Sequence, residues 1–270
     1  MGCNGPVDVT VVGSGPNGLS AAVILARAGL SVRVVEAQST PGGGARTLPD
    51  DEYAGISHDI CSAVHPLALA SPFFAAFDLP ARGVQLAVPE VSYANPLPHR
   101  AAAIGYRDIE RTCAELDHGT SWHRLLGPLV DDADDVVRLL LGDKRSVPPL
   151  SAAIKAGPRL LAQGTRLWGA LRGADARALF SGVAAHTISQ MPSLVSSGAG
   201  LMLATLAHAV GWPIPVGGLV TSSPRTNSPP LAVRSASNAS GMAWEPPTGI
   251  GQPTAWASVA SISPAPLDTS

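Results

Sequence analysis

The stretch VVGSGPNGLSAAVILARAGLSVRVVEAQSTPGGGART, Val11 to Thr47, decides the fold. Val7–Val12 is an apolar, β-branched run of strand length, and Ser31–Val35 is a second, with Val32, Val34 and Val35 supplying the branching. Between them, Asn17–Ala28 has apolar residues at helical spacing and ends at Gly29, so the order strand, helix, strand is predicted. The first strand runs into the helix through Gly13-Ser14-Gly15-Pro16-Asn17-Gly18, which has the spacing GxGxxG in the one context that gives this pattern meaning. Gly13 permits a tight turn, Gly15 lets a pyrophosphate approach the backbone, and Gly18 lets the helix pack closely on the strand. The free N–H groups and positive end of the helix then face the phosphates. Pro16 sits near the helix start, where a missing N–H costs nothing.

Glu36 closes the second strand, about twenty residues after the turn, where a carboxylate accepts hydrogen bonds from ribose hydroxyls and repels a 2′-phosphate. The expected ligand is therefore a dinucleotide other than NADP; an ordinary glycine turn is the bland alternative. The residues just beyond Glu36 distinguish FAD from NAD. A plain NAD domain has no need of a glycine cluster just after the acidic residue. Gly42-Gly43-Gly44 is such a cluster, a second close approach of backbone to ligand, with Arg46 beside it as a cation able to pair with a phosphate. FAD is favoured over NAD on this ground. A flexible loop with an incidental arginine is the competing reading.

Downstream, Val84–Val88, Val91–Ala94 and Ala101–Tyr106 are expected as strands broken by Pro89, Pro96 and Pro98. Asp108 to about Leu141 is helical in pattern, and Ala152–His208 holds several more helices. After Gly218 the chain becomes rich in Ser, Pro, Ala and Thr, with only four charged residues and no sustained period, so no secondary structure is assigned there.

The 270 residues suffice for one large or two modest domains. A net charge of −2 gives no sign of a nucleic-acid partner. The mean hydropathy of +0.21 is explained by abundant Ala, Val and Leu, since the longest apolar run, Gly198–Val210, is short and contains His208. The start of the chain lacks a signal-peptide pattern, and Pro6 stands where a myristoylation signal needs Ser or Thr. Cys3, Cys61 and Cys113 form no CxxC pair, so neither a disulfide framework nor a zinc site is expected, and a reducing cytoplasm is the default. Asn238-Ala239-Ser240 is a chance sequon in that setting. No HExxH or GxSxG occurs, and Asp131–Asp135 is expected as a solvated helix face rather than a cation site. His58, His65, His186 and His208 have no carboxylate at triad spacing and are expected to be packed or surface residues.

Strand, GxGxxG, helix, Glu36 and Gly42-Gly43 together resemble the N-terminal signature of two-domain FAD oxidoreductases of the amine oxidase and phytoene desaturase type. The nearer resemblance is to the phytoene desaturase-like branch, with carotenoid isomerase-like proteins and pyridine nucleotide-disulfide oxidoreductase domain-containing protein 2. His58–Phe74, Ala176–Ile188 and Leu203–Gly218 look like segments of that branch. The resemblance implies an α/β fold: a Rossmann-like, glutathione-reductase-like FAD-binding domain with a largely helical substrate-side region. By it, residues 1–80 are the N-terminal part of the cofactor domain, 81–218 a partial substrate-side region and 219–270 a disordered or out-of-frame tail. It assigns Gly13, Ser14, Gly15, Pro16, Asn17 and Gly18 to the pyrophosphate turn, Glu36 to the adenosine ribose and Gly42, Gly43 and Gly44 to the second glycine turn. Amine oxidases place Arg directly after the Gly-Gly pair; here Gly44 stands there and Arg46 comes two residues later.

Relatives of this kind are about twice as long and close with a Gly-Asp segment that is not found after Gly218. The expectation is therefore a chain cut short, with an incomplete sheet, an open sheet edge and little or no activity. The implied chemistry is hydride transfer between a small lipophilic substrate and the flavin, with a peripheral membrane contact as part of the same expectation. It names no catalytic residue and no metal. A NAD-binding dehydrogenase and a non-catalytic interaction protein are the two alternatives.

Overall fold

A computed structural model describes residues 6–98, 100–142, 149–165, 171–216, 232–235 and 258–262. The chain divides into two compact units, residues 1–63 with 216–270, and residues 64–215.

In the first unit, β1 (Val9–Val12), α1 (Pro16–Arg27) and β2 (Val32–Val35) keep the predicted order, with β1 and β2 parallel and Val9 opposite Val32. Ala22 of α1 and Val32 and Val34 of β2 are buried, and Val11, Leu19, Leu25, Ala26 and Leu30 pack on them. The helical spacing thus turns one stripe of α1 onto alternate residues of a strand. A 3-10 turn at Gly43–Ala45 leads into an antiparallel hairpin, β3 (Thr47–Pro49) and β4 (Ser57–Asp59).

The second unit opens with two short helices, α2 (Leu67–Ala70) and α3 (Pro72–Phe77). Residues 64–80, expected alongside the cofactor turn, are grouped with this unit. Three strands come next: β5 (Leu86–Ala87), β6 (Val91–Leu97) and β7 (Arg100–Tyr106). Pro96 does not end β6 as expected, because the β6–β7 ladder shifts register between Asn95 and Leu97 and the missing N–H falls at that irregularity. The helical stretch after Asp108 is three helices, α4 (Ile109–Glu115), α5 (Gly119–Val130) and α6 (Ala133–Leu141). α7 (Leu150–Gly164), α8 (Ala174–Ala184) and α9 (Leu194–Ala209) complete the bundle. β8 (Ile214–Pro215) returns antiparallel to β5. The core gathers Trp122, Leu126 and Leu129 of α5, Leu179, Phe180 and Val183 of α8, and Leu201 and Ala204 of α9.

Asp131–Asp135 spans a helix junction, where Asp131 and Asp134 are exposed as expected and Asp132 and Asp135 are half-buried. Asp131 ends α5, Asp134 and Asp135 lie in the first turn of α6, and Asp132 and Asp135 pair with Lys155 and Arg138 at 2.5 and 2.9 Å. Acidic groups there complement the positive end of α6.

The tail also departs from expectation: β9 (Ala232–Ser235) and β10 (Ser258–Ile262) form in sequence to which no strand was assigned. β10 pairs antiparallel with β2 and with β9, giving the sheet order β1-β2-β10-β9. One edge of β2 is therefore paired, where the expectation was of open sheet edges in general. A strand edge has a full row of unpaired N–H and C=O groups, and a short β-branched segment satisfies it whatever the composition around it. The sequon at Asn238 and the rest of the tail lie outside the described residues, as does Cys3.

Candidate dinucleotide site

The site is built where β1 gives way to α1. Gly13 has φ +93°, in the left-handed region that favours glycine, and its N–H donates to the Val35 carbonyl at 2.6 Å. The turn is thereby pinned to the end of β2. A Cβ on Gly18 would stand 2.1 Å from the Gly13 carbonyl oxygen, so the close helix–strand approach expected of this glycine is physically required.

Gly15 is different. It caps α1 with ordinary extended angles, φ −66° and ψ 171°, and the nearest atom to an added Cβ would be the Gly43 Cα at 3.9 Å. Neither backbone conformation nor packing demands a glycine here. No side chain caps α1, and Pro16 occupies its first turn. The first-turn N–H groups of a helix have no intrahelical acceptors, so those of Asn17 and Gly18 are donors presented beside an open backbone.

The second glycine cluster folds against the first. The Gly42 N–H donates to the Ser14 carbonyl at 3.0 Å and lies 3.4 Å from the Ser14 hydroxyl. Gly42 and Gly43 have φ +121° and +55°, and a Cβ on Gly43 would sit 2.9 Å from the Gly15 Cα. The two turns therefore touch through backbone, a contact that a side chain on Gly43 would obstruct. Gly44 has more room; its Cβ would meet Cys61 at 3.4 Å.

Glu36 is 3 % exposed. Its Oε2 accepts from the Ser14 amide at 2.7 Å and the Ser14 hydroxyl at 2.5 Å, and its Oε1 from the Gln38 amide at 3.2 Å. Burial pushes the carboxyl upward, but the Ser14 hydroxyl and amide, the Gln38 amide and the Arg46 charge outweigh it, so the net shift is downward and the group is held as a carboxylate. Expected as a ribose acceptor, Glu36 also braces the glycine turn, with Oε1 the less occupied oxygen.

Arg46 is spent locally. Its Nε donates to the Gly43 carbonyl at 3.0 Å, and one Nη lies 3.4 Å from both Gln38 Oε1 and Thr40 Oγ1. It stitches the second turn to the loop behind it. Gln38 and Thr40 were missed from sequence, since a lone amide and a lone hydroxyl in a loop carry no spacing signal.

Of the four histidines considered, His58 belongs to the first unit and His65, His186 and His208 to the second. His58 on β4 pairs with Asp50 at 2.5 Å. The His65 backbone amide donates to Pro213, and His186 packs edge-on against Trp212. His208 is buried on α9 and its Nε2 accepts from the Trp122 indole N–H at 3.0 Å. Burial pushes its pKa down to about 4. No group of three or more His, Cys, Asp or Glu side chains is placed to hold a metal among the described residues. Nor is any described helix long and apolar enough to cross a membrane.

Residues 11–77 match the NAD(P)-binding Rossmann-like domain family. Over 42 residues the chain is 57 % identical to hydroxyneurosporene desaturase of Rhodobacter capsulatus, which is 16 % of this chain and 8 % of that protein. It is 56 % identical over 41 residues to the enzyme of the same name from Cereibacter sphaeroides, 15 % of this chain and 8 % of the relative. Thiamine thiazole synthase of Thermotoga maritima is 55 % identical over 38 residues, 14 % of this chain and 15 % of that enzyme. These matches span a small part of each relative. Among solved structures, a double mutant of putrescine oxidase with redesigned cofactor binding aligns over 79 % of this chain and 46 % of its own, with a TM-score of 0.47 at 20 % identity. The wild-type oxidase bound to putrescine gives 0.46 at 22 %, with the same coverage of 79 % and 46 %. The chain thus spans under half of that oxidase. The stretch that matches this family holds the Rossmann-like order of strand, glycine turn, helix and strand.

Proposed function

We infer that this chain binds FAD and serves an FAD-dependent oxidoreductase reaction of the desaturase and amine oxidase kind. The observation that carries the reading is Gly15. The fold gives it space for a side chain and an ordinary backbone, yet beside uncapped helix amides a Cβ would stand where a pyrophosphate must approach. The second glycine turn against Gly15 supports FAD over NAD, since it adds a further stretch of bare backbone. Glu36, held ionised, supports an unphosphorylated ribose.

When bound, FAD supplies hydride acceptance at its flavin ring. This chain's own residues bind and orient: the Asn17 and Gly18 amides toward phosphate, Glu36 toward ribose. The substrate is proposed to be lipophilic, on the strength of the two hydroxyneurosporene desaturase matches. A match of similar length to thiamine thiazole synthase is a reason to take these short identities as speaking for the cofactor more than for the substrate. A peripheral membrane contact belongs with the lipophilic substrate as part of the same proposal.

The test is reconstitution of the 270-residue chain with FAD, then desalting and flavin absorbance. One retained flavin per chain is the expected result. A folded, colourless protein that binds NADH would favour a nicotinamide-dependent dehydrogenase instead.

A further inference from the structure

We propose that Ser14 is the positioning residue of this site: it orients Glu36 and fastens the second glycine turn over the first. The proposal rests on the reading of the site as a dinucleotide site. Ser14 is 1 % exposed, so its hydroxyl serves the protein interior and not solvent. It is the residue at which the parts of the site meet. Its amide and hydroxyl both donate to Glu36 Oε2, while its carbonyl accepts from Gly42. The Gly42 amide also approaches the hydroxyl oxygen, at 3.4 Å.

GxGxxG requires no particular side chain at this position, and its second residue is free by the pattern alone. Here the hydroxyl does two things an alanine could not. It gives Oε2 a second donor beside the backbone amide, which holds the carboxylate with Oε1 as the less occupied oxygen. It also replaces water as a partner for a buried charge, which otherwise is costly to keep. The charged group acting on Glu36 among the described residues is Arg46, itself anchored to Gly43. Loss of this buried hydroxyl therefore changes the Glu36 carboxylate without removing a solvent-facing group.

The experiment uses the full chain in four forms, wild type, Ser14→Ala, Glu36→Gln and the double variant, with Ser14→Thr as the conservative control. FAD affinity is measured as a function of pH, and the Glu36 carboxyl is titrated by carbon-13 NMR without ligand. Ser14→Ala is expected to weaken FAD about tenfold, the scale of one hydrogen bond to a charged group. In the Glu36→Gln background the same change is expected to cost less than about twofold, because the residue acts through the carboxylate. Ser14→Ala should also raise the pH at which Glu36 protonates and affinity falls, and Ser14→Thr should restore both. A full tenfold loss in the Glu36→Gln background, or a Glu36 titration unmoved by Ser14→Ala, overturns the proposal. A wild type that binds no FAD overturns the cofactor reading instead, and the ligand-free Glu36 titration still decides the role of Ser14.

Discussion

Gly15 and Gly18 stand three residues apart in one motif and are glycine for different reasons. Gly18→Ala drives a Cβ to 2.1 Å from the Gly13 carbonyl, so the fold itself must yield. A stability loss of about 1–3 kcal/mol is expected in denaturant melts, the scale of overpacking. Gly15→Ala meets nothing closer than 3.9 Å and keeps its backbone angles, so its melt should match wild type while FAD affinity collapses. Equal effects of the two substitutions on stability would contradict this separation. His208 gives a third expectation at this scale. Its pKa is lowered to about 4 in the folded chain from an ordinary 6.5, so between these values the unfolded chain binds more protons. Stability contributed by the neutral ring is fully present above about pH 6.5 and is lost as pH falls toward 4, to a limit of about 3 kcal/mol. His208→Gln should flatten that slope in urea melts from pH 6.5 to 4. An unchanged slope would place its origin elsewhere.

Among the elements, α5 contains Pro128, whose missing N–H leaves the Arg124 carbonyl without its helical donor. Arg159 of α7 repairs this. Its guanidinium donates to the carbonyls of Leu125 at 2.8 Å, Arg124 at 3.2 Å and Lys155 at 2.6 Å. Arg159→Met keeps the stem and removes these donors, and should cost about 1.5–3 kcal/mol in a thermal or urea melt. No effect would mean that water serves the carbonyls equally well. Elements differ in how far sequence discloses them. β1, α1 and β2 were legible to within two residues because period, turn glycines and Pro16 agree there. Pro96 misled, since a proline ends a strand only where the ladder needs its N–H, and the irregularity that excuses it lies in the pairing with β7. The contact of Gly43 with Gly15 and the grip of Ser14 on Glu36 were not legible. Both depend on how a loop closes after β2, and loop closure has no period. β9 and β10 escaped because their pairing is decided by the edge of β2, far away in sequence.

For the molecule as a whole, the first unit holds the two glycine turns, and the second is mostly helical with its own core around Trp122 and Phe180. A ligand that binds only the folded first unit stabilises it by mass action, about 2.7 kcal/mol at a hundred times its Kd. FAD should therefore raise the unfolding midpoint of the wild-type chain but not that of Gly15→Ala. The most direct test of the central claim is equilibrium dialysis of FAD against the folded 270-residue chain and its Gly15→Ala variant, with circular dichroism confirming that both are folded. The account predicts one FAD per wild-type chain and little or none on the variant. A folded wild type that takes up no FAD, or a variant that binds it equally well, would contradict it.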